Sequence, residues 1–83
     1  MIQRLDHIIK ATAESIHGVF QKSYAVEAKL LGATDFPPLQ RPLDDFISCE
    51  NTFYGFYLDL QLVGVIEIAP QKPSVHIQSL VVL

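Results

Sequence analysis

The sequence has one cysteine, no tryptophan, four glycines that never cluster, and six lysines and arginines that never form a run. Cys49 alone excludes an internal disulfide, and no Cys/His spacing suggests a zinc site, so no metal is expected. Isolated glycines at 18, 32, 55 and 64 leave no Gly-rich loop to cradle a phosphate. Scattered cations and a net charge of -3 give no basic stripe for nucleic acid. No apolar run reaches membrane-spanning length, and Met1–Asp6 does not read as a signal peptide. A soluble, cytoplasmic chain with no membrane partner is therefore expected. What is present is a hydrophobic fraction of 49% in 83 residues, enough for a single domain over 1–83 with one small core. A domain of this size buries only about 60–65% of its unfolded surface, so a partner surface would add stability.

Apolar spacing predicts an α+β order. Residues 2–9 suit a first strand or lead-in. A helix is expected from Ala13, with Thr12 as N-cap, Glu14 in the first turn and Gly32 as the stop. Ile16, Val19, Phe20, Ser23, Val26 or Glu27, and Leu30 fall at helical spacing over ~28 Å. Phe36-Pro37-Pro38-Leu39 cannot be helix interior. Pro42 suits the first position of a short second helix, with Asp44 and Asp45 in its first turn and Phe46 and Ile47 inward. Strands are expected at Phe53–Asp59, Leu62–Ala69 and Val75–Val82, broken at Leu60-Gln61 and at Pro70-Gln71-Lys72-Pro73. Breaks this short impose an antiparallel meander. Leu62, Ile66 and Ile68 are expected on one face of the middle strand and Val63 and Val65 on the other, so the sheet wants cover on both sides.

Leu62-Val63-Gly64-Val65-Ile66-Glu67 and His76-Ile77-Gln78-Ser79-Leu80-Val81-Val82 resemble the third and fourth strands of the GNAT-type N-acetyltransferase family. Ser23-Tyr24 through Glu27-Ala28, with Gly32 and Phe36-Pro37-Pro38-Leu39, is similar to the helix and substrate-side loop of one bacterial branch. The likeness covers nearly the whole chain and implies a partial GNAT-like fold, its N-terminal half. It implies acetyl-CoA as cofactor and an amine as acceptor. In that family the fourth strand leads into a Pro-x-x-x-Arg-x-x-Gly-x-Gly/Ala loop, whose amides and helix start hold the pyrophosphate. Here Leu83 ends the sequence before such a loop, and the tyrosine that often serves as general acid lies beyond it. The expectation is a truncated domain, inactive alone, with weak or no acetyl-CoA binding. Leu80, Val81 and Val82 match the strand whose backbone meets the acetyl and pantetheine groups, and Tyr24 matches the acceptor side.

Acetyl transfer to an amine needs a base for the ammonium proton. A four-residue loop at 70–73 would set Ala69 opposite Ser74 and Glu67 opposite His76, with Cβ atoms ~5 Å apart. A turn at Leu60-Gln61 would add Tyr54 opposite Glu67. Tyr54, Glu67 and His76 then form one row on an apolar face, a candidate proton relay with Glu67 and His76 as catalytic groups and Tyr54 toward substrate. The structural alternative is a polar pair stitching two strands. His7 and His17 have no evident partner and suit solvated surface, while Cys49 suits a small buried filler.

Three functions fit these residues: an acetyltransferase completed by a complementing C-terminal half, a catalytically silent self-associating or binding module, or an unrelated small interaction domain. The apolar, uncharged stretch Ile77–Leu83 favours a homodimer, through strand pairing or through sheet faces.

Overall fold

The computed structural model describes residues 1–32, 34–70 and 75–83. The order is β1 (Ile2–Leu5), α1 (Lys10–Leu31), a 3-10 turn (Pro37–Gln40), α2 (Leu43–Ser48), β2 (Thr52–Leu58), β3 (Gln61–Pro70) and β4 (Val75–Val82). The four strands form one antiparallel sheet in the order β1-β2-β3-β4. Both helices lie on one face of it, the inner face, with α1 across β3 and β4 and α2 against α1. No helix is long and apolar enough to cross a membrane.

Helix α1 starts at Lys10 with Ile9, not Thr12, as its N-cap, and no acidic side chain lies in its first turn. The Ala13 N–H bonds the Ile9 carbonyl, so the helix begins as soon as the turn after β1 closes. Gly32 ends it as expected, at φ 67° and ψ 25°, a left-handed cap that glycine adopts without a Cβ clash. Ala13, Ile16, Val19 and Phe20 are buried, whereas Val26 and Leu30 stand in solvent. The expected stripe is thus buried only as far as Phe20, and in the second half of α1 the buried position is Ala28. Pro37 and Pro38 take the first positions of the 3-10 turn, where a missing N–H disrupts no bond. Pro42 caps α2, one residue ahead of its expected place, and Asp44 and Asp45 occupy the first turn.

The β2–β3 turn is Asp59-Leu60, at φ 51° and 66°, rather than Leu60-Gln61. Both residues are left-handed, the geometry of a two-residue hairpin. Val63 is then an extra residue, and the ladder shifts between Phe56 and Tyr57. Leu62 consequently joins Val65 on the inner face instead of Ile66 and Ile68. Gly55 makes room there: a Cβ would lie 2.7 Å from a Leu62 methyl and 2.8 Å from a Leu5 methyl, so both side chains would have to shift. The β3–β4 pairing runs from Pro70 opposite Val75, and the connection 71–74, including Ser74, lies outside the described residues.

The core is Leu5, Ala13, Ile16, Val19, Phe20, Phe46, Phe53, Val65 and Val81. Phe46 lies at its centre, edge-on to Phe20 at 4.9 Å and tilted to Phe53 at 5.9 Å. His7 and His17 are not loose surface groups. His7 donates from Nδ1 to the Phe46 carbonyl at 2.7 Å and packs against Phe53 with its ring tilted by 55°, while His17 meets the Phe46 ring edge-on and accepts from Gln21.

Candidate functional site

The most polar interior point is Glu67, whose residue surface is 0% exposed on the inner face of β3. Its partner is Arg41, which the sequence reading passed over. Pro42 disfavours a helical Arg41, and the residue is extended, at φ -67° and ψ 116°. From there its guanidinium carbon lies over Phe46, 4.0 Å from the ring centroid. Nη1 and Nη2 donate to the two Glu67 oxygens at 2.7 and 2.8 Å, a bidentate fork. Nε donates to Asp45 on α2, and Asn51 donates to Glu67 Oε2 at 2.7 Å. One charged fork thus ties the segment before α2, α2 itself, the entry to β2 and the middle strand together. Among the described residues no buried side-chain polar atom lacks a partner.

Burial alone would raise the Glu67 carboxyl pKa, but the hydrogen bonds from Arg41 and Asn51 and the Arg41 charge outweigh it, so the net shift is downward. Burial acts on Arg41 in the opposite sense and is likewise outweighed, by Glu67 and Asp45, so its pKa rises. Burial pushes the Cys49 thiol up, which leaves no thiolate nucleophile. Glu67 is therefore a poor proton acceptor at neutral pH, and Arg41, matched by two carboxylates, has little charge to offer an anion. Among the described residues no three His, Cys, Asp or Glu side chains are grouped to hold a metal.

The expected row of Tyr54, Glu67 and His76 does not form. Tyr54 is opposite Ile66 on the outer face, because the turn and the Val63 bulge move the ladder by one residue, and one residue reverses the face. Glu67 is opposite Phe53 on β2 and Ser79 on β4. His76 is exposed and opposite Ala69, since pairing begins at Pro70–Val75; further along, Gln78 is an extra residue on β4, which sets Ser79 opposite Glu67. Tyr24 packs between Phe20 and Phe36, at 5.8 and 6.0 Å, on the opposite side of the sheet from Tyr54. Val81 is core, while Leu80 and Val82 project from the outer face. The signal for Arg41 was its four-residue spacing to Asp45 across Pro42; nothing local marked Asn51.

Acid should act through this fork. Glu67 has a folded pKa below its ordinary value near 4.5, so its stabilisation is whole above about pH 4.5 and is lost as pH falls through the folded value. Urea midpoints measured between pH 6 and 3 should fall more gently in Glu67→Gln than in the parent; parallel curves would deny Glu67 that part in acid unfolding.

No protein-family model, curated protein or solved structure matches the chain.

Proposed function

We propose that the chain carries the acceptor side of an acetyl-transfer domain of the GNAT type, with the free edge of β4 as the place where the pantetheine arm of acetyl-CoA lies. The observation that carries this reading is the disposition of that edge. Leu83 N–H bonds the Val63 carbonyl at 2.8 Å, and antiparallel alternation then turns the peptide groups of Leu80 and Val82 away from β3. Those unpaired N–H and C=O groups suit the two amides of pantetheine, which can add beside the strand as an extended peptide would. The element order, with two helices on one face of a four-stranded meander, agrees with the resemblance of the two strand motifs.

In this reading Glu67 is a positioning residue held by Arg41, not the base. Tyr24 belongs to packing. Within these 83 residues nothing supplies a phosphate loop, so the cofactor's charge finds no partner and affinity is low. Titration of the isotope-labelled chain with acetyl-CoA and with pantetheine, followed by amide shifts, tests it. Millimolar ligand should move the Leu80, Val81 and Val82 resonances, equally for the two ligands. Shifts confined to another surface would overturn the reading, and so would a low-micromolar dissociation constant for acetyl-CoA. The second reading, a non-catalytic self-associating module, is favoured by one observation: the outer face of the sheet is apolar and bare.

A further inference from the structure

We propose that two copies of the chain pack their outer sheet faces together, forming a four-layer helix–sheet–sheet–helix dimer that leaves the β4 edge open. The inference does not depend on acetyl transfer.

The outer face presents Ile2 from β1, Tyr54, Phe56 and Leu58 from β2, and Leu80 and Val82 from β4, with Ile66 half-buried between them. These six side chains are 36% to 66% exposed, although an ordinary two-layer domain would carry polar residues at such positions. At roughly 100 Å² apiece, about half of a large side chain, they offer on the order of 600 Å². That is at the top of the range a monomer leaves bare in its largest patch and reaches the lower end of what each partner gives to a standard interface, about 600–1,000 Å². Among the described residues the only charged side chain on the face is Arg4, at its β1 margin. With no ring of cations, the face has nothing to meet an anionic lipid surface, and with no second charge it does not select an acidic or basic partner. An identical apolar face is the complement it fits.

A depression sharpens the fit. Gly64 lies on this face between Phe56 and Val82, in a hollow also lined by Ile2 and Leu80. A Cβ there would meet its neighbours only at ordinary contact distances, 3.4 Å or more, so the chain's own packing does not demand glycine. The hollow can seat an aromatic ring of the opposing copy. Two sheets stacked in this way lie about 10 Å apart, close enough for the rows to interdigitate.

Sedimentation equilibrium at 5–100 µM tests the proposal on the 83-residue chain. The parent should have the mass of two chains. Phe56→Glu and Leu80→Glu should each weaken association at least 100-fold and give monomers, while Leu30→Glu, which charges the bare end of α1, should leave the dimer intact. Should a charged variant fail to fold, the parent itself still decides the matter. A mixture of carbon-13-labelled and unlabelled chains should give intermolecular Overhauser contacts to the Leu80 and Val82 methyls. A monomeric parent at 100 µM, an assembly broken by Leu30→Glu but not by Phe56→Glu, open-ended aggregation, or contacts restricted to Val26 and Leu30 would each overturn it.

Discussion

Replacing Phe46 with alanine is expected to remove a large share of the chain's folding stability and to bring it close to its unfolding midpoint at the lower end of that stability. The ring is fully buried and touches Phe20 and Phe53 at the junction of α1, α2 and the sheet. Removing such a side chain costs about 3–5 kcal/mol. A chain of 83 residues at roughly 0.05–0.15 kcal/mol per residue has only about 4–12 kcal/mol in total. Phe46 is also the surface on which the Arg41 guanidinium lies, so its loss loosens the charged fork as well. Phe46→Leu keeps most of the volume and should cost about 1–2 kcal/mol. Urea unfolding followed by circular dichroism gives both numbers. An alanine variant within about 1 kcal/mol of the parent would show that the core closes without this ring.

The second large effect is expected from separating Arg41 and Glu67. Glu67→Ala leaves a half-buried guanidinium without its main partner, and Arg41→Met leaves a fully buried carboxylate without its own. Each should cost about 3 kcal/mol, the lower end for a broken buried pair, since part of the Arg41 side chain reaches water. The double change Arg41→Met with Glu67→Leu should cost far less than the sum, because neither charge is stranded. A double-mutant cycle with additive costs would mean that the two side chains act independently. Turnover is not needed for this measurement, so it stands whether or not the chain takes part in acetyl transfer.

Much of the architecture was legible in the order of residues. The α1 stop at Gly32, the proline-rich break, the acidic first turn of α2 and the three-strand meander all follow from local chemistry, and each is present within a residue or two. The start of α1 was misread because Thr12 has the side chain of a cap, whereas the chain geometry after β1 decides where the helix begins. Register was the larger loss. A turn of Asp59-Leu60, with a leucine in the left-handed region, has no sequence signature; the β3–β4 pairing begins two residues from its expected place, and a single-residue bulge shifts each of the two ladders by one. The candidate site depended wholly on register, so Tyr54, Glu67 and His76 scattered to different places. Arg41 and Asn51 meet Glu67 from 26 and 16 residues away, contacts that no local pattern encodes.

The buried carboxylate also answers a question that strand β3 poses about itself. Leu62, Val63, Val65, Ile66, Ile68 and Ala69 make β3 apolar on both faces, so hydrophobic burial alone would accept the strand shifted by one residue in either direction. Either shift would turn Glu67 toward the bare outer face, out of reach of Arg41 and Asn51, and bring an apolar side chain against the guanidinium. A single charge in the middle of an otherwise indifferent strand therefore acts as an indexing pin: it makes one alignment of the sheet far better than its neighbours, whatever it contributes to total stability.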